Sequence, residues 1–241
     1  MTRTNPIDVL MERASQALAE TRYVEAESLA ARALVKARRA DDFERIARIA
    51  LPLQEARRQL RLLAAEAGPV RLVTAPADVP DPIAPGFYLV QPPLIGLDAR
   101  TLGEAGLRRG VAVVALAREP LTRDGLWPIV AVSEISCRCK VLPPVPLERV
   151  ESRMSKDEFS GPIPVAWFES TYETLGDSAI AAIDTGEPPA WRVDDCLERL
   201  DALPFHEKLH QVLAATAREA IGQPTPETPR RRPQIRDPYS F

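Results

Sequence analysis

The sequence predicts a mixed α/β protein, with N-terminal helices packed on a small mixed β-sheet domain that ends in further helices. Three observations carry this. Small apolar residues recur at helical spacing between residues 7 and 38. A strand, a helix and a continuously apolar strand follow between residues 87 and 116, and helical periodicity returns from Val165. The 241 residues suffice for one large or two small domains, at roughly 150 residues per domain.

The first helix is expected over residues 7 to 19, where Ile7, Leu10, Ala14, Ala17 and Leu18 share a face. Asn5 followed by Pro6 supplies a capping side chain and then a proline in the first helical position. Thr21-Arg22 makes a turn, and a second helix over 24 to 38 carries Ala26, Leu29, Ala30, Ala33, Leu34 and Ala37. The run Arg22-Tyr23 to Leu34, aromatic residue first and alanines at one face, resembles the second helix of a tetratricopeptide repeat. Ala14, Ala26 and Ala33 fall at that family's small-residue positions, and the resemblance covers one repeat over residues 7 to 40. It implies a helical hairpin used to hold a protein or peptide partner. One repeat cannot bury its own apolar face, so the hairpin must pack on the rest of the chain or on a second copy.

A third helical segment follows, capped by Asp41 and Asp42. Pro52 lacks a backbone donor and costs about 3 kcal/mol inside a helix, so a break or kink is expected after Ala50. Its face of Arg45, Arg48, Arg57, Arg58 and Arg61, interleaved with Glu44, Glu55 and Glu66, reads as solvated and paired within the helix. Gly68-Pro69 ends this block. Strands are expected at Val70–Val73 and Phe87–Val90, separated by a loop holding Pro76, Pro80, Pro82 and Pro85. Asp98 starts a helix that Gly110 stops, Val111–Leu116 is a strand buried on both faces, and two strands follow near Ile129–Val132 and Cys137–Leu142. The sheet thus has four or five strands. Val165 to Ile183 is helical, and helices run from Val193 to Ala202 and from Pro204 to Ile221. The domain reading is 7–66 helical, 69–222 α/β, and 223–241 a flexible tail rich in proline and arginine.

The net charge of −3 argues against nucleic acid as a partner, and no apolar run reaches the ~20 residues of a membrane span. The odd set Cys137, Cys139 and Cys196 argues for free thiols in a cytoplasmic protein. Gly103, Gly106 and Gly110 do not form a phosphate loop, and no serine sits in a nucleophile elbow.

One motif points to catalysis. His206, Glu207 and His210 spell the H-E-x-x-H pattern that resembles zinc peptidases over five residues, where two imidazoles on one helix side bind the metal and the glutamate activates water. Pro204 and Lys208 depart from that pattern. Glu219, ~13 Å along the helix from His210, is too far to be the third ligand. The alternative places both histidines on the flank of a stripe formed by Phe205, Leu209, Leu213 and Thr216. The expected function is therefore a protein-interaction or scaffolding role, not catalysis and without cofactor, with a protein or peptide partner or self-association. The alternative is a zinc-dependent hydrolase using His206, Glu207 and His210.

Overall fold

The computed structural model describes residues 5–145 and 159–224. The chain begins with three helices, α1 (Pro6–Ala19), α2 (Tyr23–Arg39) and α3 (Phe43–Glu66). Asn5 caps α1 as its sequence implies, its Oδ1 accepting from the Ile7 N–H at 2.9 Å. The two turns are built alike. Thr21 and Asp41 adopt left-handed conformations (φ 59° and 50°). The Arg22 N–H then donates to Ala17 O at 2.8 Å, and the Asp42 N–H to Ala37 O at 2.9 Å. Each such 6→1 bond satisfies a helix-end carbonyl and reverses the chain.

The break expected after Ala50 does not occur: α3 runs unbroken through Pro52. Its Ile49, Ala50, Leu53 and Ala56 are fully buried, so packing on neighbouring elements outweighs the lost hydrogen bond.

A five-stranded sheet follows in the order β1 (Arg71–Val73), β2 (Gly86–Val90), β3 (Val113–Arg118), β4 (Trp127–Val132) and β5 (Ser136–Val141). The first three strands are parallel, and β4 and β5 are antiparallel to their predecessors. Helix α4 (Gly96–Arg108) links β2 to β3. It starts two residues before Asp98, whose carboxylate instead accepts from the Ile95 N–H. β3 begins at Val113 rather than Val111 because Val111 still closes the helix end, donating to Gly106 O at 2.9 Å around Gly110 (φ 75°). Three helices complete the described chain: α5 (Val165–Ala181), α6 (Pro189–Ala202) and α7 (Glu207–Ala220). The expected start at Pro204 is wrong, since Pro204 and Phe205 form a turn and His206 is the residue before the helix.

The cores cut across the division at residue 66. One core is wholly helical: α1, α2 and the first half of α3 pack on α6 and α7 from the other end of the chain. A second joins Leu60 and Ala64 of α3 to one sheet face (Phe87, Leu89, Leu116, Trp127) and to Phe168 and Tyr172 of α5. A third, smaller core lies between the opposite sheet face and α4. The expected tail falls outside the described residues except for Gln223 and Pro224.

Candidate functional site

The two large cores meet along α3, α5 and the start of α7, and there the interior becomes polar. His206 is fully buried just before α7, so the expected sharing of one helix face with His210 does not arise. Its ring lies against Gly176, where an added Cβ would sit 2.2 Å from His206 Cδ2; only glycine fits. Nε2 lies 3.2 Å from Glu173 Oε2 and 3.5 Å from Asp177 Oδ1, ion-pair distances without hydrogen-bond alignment. His206 and Arg61 together hold the Glu173 carboxyl down to about 2. Glu207 accepts from Gln54 at 3.4 Å.

His210 is equally interior, not on a flank. Its Nδ1 lies 2.9 Å from the carbonyl of His206, which can only accept, so Nδ1 carries the proton. Nε2 is then the acceptor for Arg57 Nη1 at 3.4 Å. Burial first, then the Arg57 charge, push His210 down to about 3, which keeps it neutral. Both ring nitrogens are engaged. Among the described residues no group of three or more His, Cys, Asp or Glu side chains is placed to hold a metal ion.

Arg57 departs most from the sequence reading. It is not on a solvated face: its side chain is 12% exposed, and Nε and Nη2 both donate to Glu27 Oε1 of α2 at 3.0 and 2.9 Å. Arg61 likewise crosses to Glu173 of α5, and Arg45 to Asp8 of α1. Arg58, paired with Glu55, keeps to its own helix as expected, Arg45 also pairs with Asp42 at the start of α3, and Arg48 is exposed. Glu27, three residues before Ala30 and seven before Leu34 of the apolar stripe, was the sequence signal that a cation had to face it, and the structure buries it.

Two concavities open on either side of Arg57. A groove of about 400 Å³ runs between α2 and α6, lined by Leu34, Val35 and Leu197 with Arg38 and Arg39 at its edge. A tighter cleft of about 150 Å³ lies where β3 and β4 separate, over Val114, Ala115 and Val130, with Gly103 of α4 and Tyr172 of α5 in its walls. Arg57, Leu200 and Asp201 line both. The strands pair only at Ala117–Val130 and Arg118–Ile129, which leaves the first residues of β3 without a β4 partner.

The three cysteines are free, as expected. Cys137 and Cys139 lie on one sheet face, and burial pushes the Cys139 and Cys196 thiols up to about 11, so they pack as small hydrophobes. No helix among the described residues is long and apolar enough to cross a membrane. No family model, no curated protein and no solved structure matches the chain.

Proposed function

We propose that this chain is a protein-interaction module that docks a short peptide segment in the groove between α2 and α6. The observation that carries the reading is the groove itself: an apolar floor of Leu34, Val35 and Leu197 bordered by guanidinium groups. Val35 lines it and is 51% exposed, an aliphatic residue among the exposed Arg32, Lys36 and Arg39 of α2. Arg38 is occupied by Asp194 and Asp41, whereas exposed Arg39 makes no ion pair among the described residues. The fitting partner is an amphipathic peptide with two or three apolar side chains and a carboxylate for Arg39. The tetratricopeptide resemblance of α1 and α2 supports the same reading, as a family analogy.

Selection from a random peptide library, with affinities read by fluorescence anisotropy, tests it. Selected peptides should carry acidic and aliphatic residues, and Val35→Glu should weaken them at least tenfold. Binding that ignores Val35→Glu and Arg39→Glu would place the docking surface elsewhere and end this proposal.

A further inference from the structure

The cleft between β3 and β4 is chemically distinct from the groove. It is about the size that holds a benzene ring in an apolar protein cavity. Its space arises from two local features. The strands stop pairing beyond Ala117–Val130, and α4 presents Gly103, beyond whose Cα a Cβ would meet nothing within 4 Å. Gly96 on the same helix is different, because a Cβ there would come 2.9 Å from Val132 Cγ1. Close packing explains Gly96. It does not explain Gly103, which leaves room.

Two donors at the inner wall are incompletely used. Tyr172 is 2% exposed, and its phenol oxygen accepts from the Phe205 N–H at 3.1 Å. Among the described residues nothing accepts the phenol's own proton. Arg57 has five N–H groups. Two donate to Glu27 and one meets His210, which leaves two without an acceptor among the described residues, on a side chain that lines the cleft. Buried donors without acceptors are costly, so a ligand acceptor placed there recovers free energy the protein alone forgoes. The Arg61 guanidinium, 6.0 Å from the Tyr172 ring centre, is paired with Glu173. The cleft lining further holds Arg100 with its partners Glu104 and Asp201, so Arg57 and the phenol are the donors left for an acceptor.

We propose that this cleft binds a small monocarboxylate. Its apolar body, about six carbons, lies over Val114, Ala115 and Val130. Its carboxylate takes the Tyr172 O–H and the remaining Arg57 N–H groups. The site does not depend on peptide docking in the groove, although Arg57 borders both.

Titration of the full chain with hexanoate, followed by amide chemical shifts, tests the assignment. Saturable shifts at α4, β3 and Tyr172 with a dissociation constant below about 1 mM are expected. Gly103→Leu, which fills the space, and Tyr172→Phe, which removes the donor, should each weaken binding at least tenfold. Both variants are first checked for an unchanged spectrum away from the cleft; if Gly103→Leu misfolds, Tyr172→Phe alone decides. Absence of saturation in the wild type, undiminished binding in the folded variants, or equal affinity for 1-hexanol would each overturn the proposal. The Val35→Glu variant should bind hexanoate normally, which separates this outcome from that of the peptide test.

Discussion

The helical core and the sheet core solve the same packing problem with different proportions of alanine and aromatic residues. The helical core interleaves small residues with aliphatic ones and holds few rings: Ala17, Ala33, Ala37, Ala50 and Ala56 are fully buried beside Ile46, Ile49, Leu53, Leu209 and Leu213. Alanine brings backbones close but removes little surface per residue, and the elements are also tied by long-range ion pairs such as Arg45–Asp8, Arg38–Asp194 and Arg57–Glu27. In the sheet core the contacts are large and aromatic. Phe87 stacks on Phe168 at 4.6 Å, and Trp127 meets Phe159 and Trp167 edge-on at 5.2 and 5.8 Å. The difference teaches where each region should tolerate change. The sheet core should suffer from lost volume, and the helical core from added volume or a broken charge pair.

The largest effect is expected from Phe168→Ala, which removes a ring from both a stack and a buried layer. It should cost about 3–5 kcal/mol in chemical denaturation. Arg57→Ala comes next. It strands Glu27 and removes the donor to His210, for a loss of about 3 kcal/mol at the low end of the range for a broken buried pair. The double variant Arg57→Ala/Glu27→Ala should cost less than the sum of the singles, since the second change removes the orphaned charge. Additive costs would show that the pair is not coupled.

Much of the architecture was legible because its signals are local. Asn5-Pro6, the Gly110 stop and the apolar periodicity of α5 each depend on residues within one or two turns, and the structure honours them. Pro52 misled because a local cost was weighed without the burial of Ile49, Leu53 and Ala56, which only tertiary contacts supply. The arginines of α3 misled for a related reason. Periodicity places Arg57 and Arg61 on a flank, but α2 and α5 cover that flank and bring Glu27 and Glu173 to meet them. His206 and His210 were singled out by spacing, yet α7 begins at Glu207, three residues after the expected Pro204, which leaves His206 outside the helix and changes their relation. Neither cleft could be read from the chain, because each is bounded by elements that pair only in the fold.

Smaller effects sharpen the contrast. Ala33→Leu adds volume to the tight helical contact and should cost about 1–3 kcal/mol. The helical core should also be the acid-sensitive one. His210 titrates near 3 in the folded chain, against an ordinary value near 6.5, so the unfolded chain takes up its proton first as pH falls. The stability it contributes is complete above about pH 6.5 and declines toward pH 3 by roughly 1.4 kcal/mol per pH unit. His210→Gln, which retains a donor and an acceptor, should flatten that part of the stability–pH curve; an unchanged slope would assign the acid sensitivity to another group.

The central claim is that the helical core is assembled from both ends of the chain, with α6 and α7 belonging with α1–α3 rather than with the sheet. Native-state hydrogen exchange under increasing denaturant tests this most directly, because it resolves which segments open together. Amides of α1, α2, α6 and α7 should converge on one opening free energy, distinct from that of β2, β3 and α5. If α6 and α7 instead exchanged with the sheet while α1–α3 opened as a separate unit, the chain would divide near residue 66 and the two-ended helical core would be contradicted.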